Sequence, residues 1–169
     1  TEAILDITFD LALRFTNLKK VDHGIGIIAF GKLGTRELDL GSDLDLIFLT
    51  KDQETAHKEK TYKVIKKFIS WIELRTFSGR LFKIDTALRP NGTSGLLVSS
   101  LDAFSSYQKN DAWYWEHQAL TKARFLTGDK NIAEKFECIR REVIQLPKNL
   151  TSLTEEIISM RMLMTSKSP

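Results

Sequence analysis

Gly41-Ser42-Asp43-Leu44-Asp45-Leu46-Ile47-Phe48-Leu49 decides how the rest of the 169-residue chain is read. Leu44 to Leu49 is apolar apart from one aspartate, and its length suits a buried strand better than a helix. Alternate side chains of a strand share a face, so Asp43 and Asp45 project together at its entrance. Two carboxylates side by side against apolar neighbours repel each other unless a cation neutralises them. Just upstream, Ile25 to Phe30 is a second apolar run, bounded by Gly24 and Gly31, and reads as another buried strand. Gly31 to Ser42, between the two, reads as a loop with one helical turn. It opens with Gly31-Lys32-Leu33-Gly34, where glycines let backbone amides approach phosphate oxygens and a lysine adds charge.

Downstream, Leu81 to Leu88 reads as a third strand carrying Asp85, closed by the turn Arg89-Pro90-Asn91-Gly92. If that strand neighbours the second, three carboxylates converge. Hard oxygen ligands suit magnesium shared with substrate phosphates. Two such ions can activate an attacking oxygen and stabilise a leaving one. A plainer reading competes: an isolated Asp-x-Asp is often a turn cap beside a lysine-paired neighbour, with Asp85 merely solvated. The order strand, glycine loop, Ser-Asp-x-Asp strand is what favours the metal. Pro90 holds Arg89 extended. On the face of Asp85 and Ala87, its planar fork would suit a triphosphate; the alternative is a structural pair with Asp85 or Glu116.

The remaining pattern is helical. Glu2 to Lys19 has roughly helical apolar spacing, and Thr55 to Ser78 places Tyr62, Ile65, Phe68, Ile69 and Ile72 on one face, with Gly79 as its stop. Ser99-x-x-Asp102 marks a helix start before Leu101 to Lys109. Ala112 to Leu126 and Ile132 to Ile144 follow, then a break at Leu146-Pro147-Lys148-Asn149 and a helix from Thr151 to Met164. Strands mixed with helices and then helices alone predict an α+β domain, a small mixed sheet flanked by helices, over 1–128. A helical extension occupies 129–169.

Composition excludes several classes. Hydrophobic residues make up 42% and charged residues 28%, which rules out a disordered chain. No stretch approaches ~18 uncharged apolar residues, so no membrane span is expected. Thr1 to Asp10 shows no signal-peptide pattern. A single cysteine, Cys138, read as a small packed residue, permits no internal disulfide and no thiolate zinc cluster, in keeping with a reducing, cytoplasmic setting. His23, His57 and His117 are too scattered for a multi-histidine metal site, and a net charge of +3 makes no case for nucleic acid.

A glycine turn, an Asp-x-Asp strand and a third aspartate on a later strand resemble the nucleotidyltransferase superfamily with the polymerase-beta-like fold. Three stretches are similar to the glutamate–ammonia-ligase adenylyltransferase family in particular. They are Gly31-Lys32-Leu33-Gly34 through Phe48; Ile84-Asp85 with Leu88-Arg89-Pro90 and Gly92-x-Ser94-Gly95-Leu96-Leu97; and Tyr107-Gln108-Lys109-Asn110 with Trp113-x-Trp115-Glu116-His117-Gln118-Ala119-Leu120 through Arg124. That family has two homologous halves, one adding AMP to glutamine synthetase and one removing it. The third stretch is most like the adenylylating, carboxy-terminal half.

The resemblance implies a catalytic, metal-binding triad of Asp43, Asp45 and Asp85 holding two Mg2+ ions, with ATP as substrate. It places Gly31, Lys32 and Ser42 at the phosphates. Ala87 stands where many members have arginine, which leaves that positive charge to Arg89. It further implies a tyrosine of glutamine synthetase as acceptor and a PII signal protein as regulator of the longer enzyme, with no nucleic-acid or membrane partner. Two other readings stay open at this point: the AMP-removing half, with inorganic phosphate as attacking group, and an ATP-sensing module without transfer.

Overall fold

A computed structural model describes residues 1–19, 23–77, 79–147 and 150–166. β1 (Ile25–Ala29) and β2 (Leu44–Thr50) pair antiparallel, with Ile27 opposite Phe48 and Ala29 opposite Leu46. β7 (Arg124–Gly128) lies antiparallel along the other edge of β1. The remaining edge of β2 takes two short parallel strands, β5 (Ile84–Asp85) at its start and β6 (Val98–Ser100) at its end. The mixed sheet therefore has β1 and β2 at its centre.

Helices cover both faces, which is why these two strands are almost continuously apolar. Ile25, Ile27, Leu44, Leu46 and Phe48 pack toward α1 (Glu2–Phe15) and α4 (Glu59–Ile72), against Leu5, Phe9, Val64 and Phe68. Ile28, Phe30, Ile47 and Leu49 pack the other way, with Phe104, Leu120 and Phe136. Those three belong to α5 (Leu101–Asn110), α6 (Tyr114–Thr121) and α7 (Lys130–Gln145). Asp43 and Asp45 share the parity of Ile47 and Leu49, so they face the α5–α7 layer.

The α+β architecture agrees with the sequence reading, and four segments differ from it. The helix expected over Thr55 to Ser78 is two helices, α3 (Gln53–His57) and α4, separated at Lys58. Asp52 caps α3 by accepting from the Thr55 amide at 2.6 Å. Helix α4 ends at Ile72, and Gly79 stops nothing: β3 (Arg75–Thr76) and β4 (Gly79–Arg80) form a small exposed ladder there. The third strand is far shorter than Leu81 to Leu88. The Ala87 amide donates to Asp85 Oδ1 at 2.7 Å, and that turn takes the chain out of the sheet. The helix expected over Ala112 to Leu126 stops at Thr121, and its tail is the edge strand β7. Ser100 caps α5, as the helix-start pattern implied to within a residue. Cys138 is exposed on α7, not packed.

Helix α8 (Leu150–Ser166) lies against α6, where Glu156 accepts from the Tyr114 amide at 2.8 Å. Ser78 of the expected long helix, and Lys148 and Asn149 of the expected break, lie outside the described residues. Among the described residues no helix is long and apolar enough to cross a membrane.

Candidate active site

Parallel pairing of β2 with β5 puts Asp45 and Asp85 in register, side by side. Burial, then the negative charges of Asp85 and Asp43, hold the Asp45 carboxyl above the ordinary carboxylate range. Asp43 lies on the same face, but its Oδ2 accepts from Lys83 Nζ at 2.5 Å. The structure thus brings two acids together and ties the third to a lysine. Among the described residues, no group of three acidic, histidine or cysteine side chains is close enough to hold one metal ion. A repelling pair with one partly desolvated member nonetheless fits a magnesium ion that keeps several waters and takes its other ligands from phosphate.

Gly31 closes the site from behind. It follows β1 directly with φ +53, and a Cβ there would overlap Asp45 Oδ2. The glycine is therefore needed twice, for its left-handed backbone and for the space the acid occupies. It begins α2 (Gly31–Thr35), the helical turn expected in this loop. Lys32 is exposed and donates to Asp39 at 2.7 Å, which raises its pKa. Ser42 is half-buried just ahead of Asp43, and its amide donates to the Asp39 carbonyl at 3.2 Å.

Arg89 lies elsewhere than expected. Because β5 ends at Asp85, Ala87 and Arg89 do not continue a strand face with it. The guanidinium turns inward on its own loop, donating to the carbonyls of Thr86 (2.8 Å), Thr93 (2.9 Å) and Gly95 (3.3 Å) and to the Thr86 hydroxyl. It is the brace of the 86–95 turn, not a free fork. Arg89→Ala is expected to destabilise the protein by about 1.5–3 kcal/mol, the usual worth of hydrogen bonds to a charged group. Hydrogen exchange should quicken at the Gly92 and Gly95 amides, which bond back to Arg89 and Gly92. Unchanged exchange there would contradict the bracing role.

The two motifs of the third stretch lock together. Tyr107 donates its hydroxyl to both Glu116 oxygens, at 3.0 and 3.1 Å, and Glu116 Oε2 also accepts from the Trp113 amide. Burial and the Glu116 charge raise the Tyr107 pKa. His117 Nε2 meets the Gln108 carbonyl at 2.7 Å, so that nitrogen carries the proton. Arg124 opens β7, not the tail of the helix expected over Ala112 to Leu126, and donates to the Leu33 and Gly34 carbonyls at 3.0 and 2.8 Å. It pins the end of α2 and, through it, Gly31.

With this geometry in hand, comparison with known proteins is specific. The family model of glutamate-ammonia ligase adenylyltransferase matches residues 2–139. The chain belongs to that family. It is 43% identical over 164 residues (94% of this chain) to a bifunctional glutamine synthetase adenylyltransferase/adenylyl-removing enzyme of Aromatoleum aromaticum. Proteins of the same description from Nitrosomonas eutropha and Chromobacterium violaceum are 42% and 45% identical, over 99% and 85% of the chain. The chain spans only 18%, 18% and 16% of the length of these three adenylyltransferase relatives.

Two features of the site are absent from the sequence reading. Lys83 stands two residues before Asp85, and that spacing is the signal that it shares a face with the acids. The other is an open cleft of about 670 Å³ whose wall includes Gly31 and Leu88. It is assembled from segments far apart in sequence, and no local pattern announces it.

Proposed function

We propose that this chain carries the nucleotidyl-transfer site of an adenylyltransferase that moves AMP from ATP to a tyrosine hydroxyl of glutamine synthetase, releasing pyrophosphate. What supports this is the in-register pair Asp45 and Asp85, backed on Gly31 at the head of the glycine loop. Magnesium, two ions in this reading, would supply neutralisation of the triphosphate and activation of the attacking hydroxyl. Asp45 and Asp85 would hold it, with Asp43 joining them on release from Lys83.

The tyrosine oxygen forms a bond to the α-phosphorus as the bridge to the β-phosphate breaks. A phenol has pKa ≈ 10 and keeps its proton at neutral pH, so Asp85 is assigned to accept it. Lys32, exchanging Asp39 for phosphate, neutralises the departing pyrophosphate. Ser42 contacts a phosphate oxygen from the start of β2. Arg89 keeps its charge near the site while holding the turn that follows Asp85.

Addition is favoured over removal by the Tyr107 to Arg124 stretch, whose motifs resemble the adenylylating half and which here packs as one interlocked unit. Regulation by a PII signal protein is assigned to the longer protein on the resemblance alone, as is the division into a transferase unit over 1–128 and an extension beyond it. Unmodified glutamine synthetase with ATP and magnesium is expected to gain AMP. Adenylylated glutamine synthetase with inorganic phosphate is expected to release no ADP. ADP release without AMP incorporation would reverse the direction.

A further inference from the structure

The cleft beside Gly31 has a composition that the acid site does not explain. Its walls are Leu88 from the turn after Asp85, Trp115 and Ala119 from α6, and Ile157 and Met160 from α8. Among the described lining residues, Gln118 and Lys122 bring a carboxamide and an ammonium group to this wall. Its volume, about 670 Å³, lies within the usual range for small-molecule pockets. The cleft adjoins the acid pair at Gly31, which forms part of its wall and where an added Cβ would overlap Asp45 Oδ2.

We infer that this cleft is the adenosine subsite, in which the adenine ring lies between Trp115 and the aliphatic side chains of Leu88 and Met160 while Gln118 reads its edge. The inference rests on the function proposed above. A flat heterocycle matches an apolar slot with one aromatic wall, since base–aromatic stacking is favourable whatever the base. A carboxamide offers a donor and an acceptor together, the complement of the amino group and ring nitrogen on an adenine edge. A phenol has no such edge, so the slot suits the nucleotide better than the acceptor tyrosine. Lys122 makes no ion pair among the described residues, and at the end of α6 it adds a positive charge where the phosphates would leave the cleft toward Gly31.

The test is equilibrium binding of ATP, adenosine and inorganic tripolyphosphate, with magnesium, to the wild-type chain and to Ala119→Phe and Gln118→Ala. Filling the slot with Ala119→Phe is expected to weaken ATP roughly tenfold or more and to abolish adenosine binding, the loss of one stacked base. Tripolyphosphate, which needs no slot, should bind as before. Gln118 is exposed, so Gln118→Ala leaves the fold intact; it should reduce the preference for ATP over GTP several-fold. Equal losses for ATP and tripolyphosphate in Ala119→Phe, or an unchanged ATP-to-GTP ratio in Gln118→Ala, would overturn the assignment. The two proposals fail separately. AMP transfer with ATP affinity unchanged in Ala119→Phe removes the subsite and keeps the function. Adenosine binding that Ala119→Phe abolishes, without transfer by wild type, does the opposite.

Discussion

Asp45→Asn is expected to lower AMP transfer by more than about a hundredfold, since even partners one step removed from a metal commonly cost 10–100-fold. The fold should survive and gain slightly in stability. Asp45 is half-buried beside Asp85, and its folded-state pKa is raised. A raised carboxyl pKa means that ionisation is harder in the folded chain than in the unfolded one. That penalty is present at neutral pH and disappears as pH falls below the ordinary carboxylate range, where both states are protonated. Asparagine removes the charge, so the gain appears at neutral pH and fades in acid. Its size should be roughly 0.5 kcal/mol, the scale of a cross-strand like-charge pair. Urea melts at neutral and acid pH check the stability, and labelled ATP checks the transfer. Near-normal transfer by a folded Asp45→Asn protein would remove the acid pair from the chemistry.

That acid pair was legible in sequence because strand parity is a local property. The pleat alone puts Asp43 and Asp45 on one face, and the apolar run after them marks β2 as covered on both sides. Asp85 was legible as an acid on another strand, and pairing it with Asp45 needed only that the strands be neighbours. What parity could not supply is the competition for each group. Lys83 takes Asp43, and the carbonyls of Thr86, Thr93 and Gly95 take Arg89. Spacing puts Lys83 on the face of the acids, but which acid it takes follows from how β5 pairs with β2. The Arg89 contacts follow from where the turn after Asp85 ends.

The missed strands share one cause. The apolar spacing of Thr55 to Ser78 continues through Leu74 and Phe77, yet both are exposed, because the chain has left the helix for the small β3–β4 ladder. β7 follows α6 with no proline and no glycine at the junction, so helical periodicity runs on into Arg124-Phe125-Leu126 unchecked. β6 has three residues and exists because β2 has an edge for it to join. Short edge strands are made by a partner, and a partner is not visible in the local sequence.

Gly34→Ala should produce one of the largest losses of stability of any single methyl added near the site. Gly34 lies in α2 where the chain after α6 crosses it, and a Cβ there would overlap the Lys122 carbonyl and reach within 3.1 Å of the Ala29 carbonyl. Both obstacles are backbone, so neither can rotate away. Relief requires α2 to move off the 122–124 segment. That movement stretches the bonds from Arg124 to the Leu33 and Gly34 carbonyls and carries Gly31 away from Asp45. Overpacking typically costs about 1–3 kcal/mol, and weakening charged hydrogen bonds adds to it. A loss of roughly 3 kcal/mol is expected, which for a domain of this size lowers Tm by about 6–12 °C. The effect should overlap with that of Arg124→Ala, so the double variant should lose less than the sum of the two singles, as contacting residues do. Strict additivity would mean that Gly34 and Arg124 do not act on α2 together. Transfer should also fall in Gly34→Ala at temperatures where it remains folded, because the displaced helix carries the glycine on which Asp45 rests.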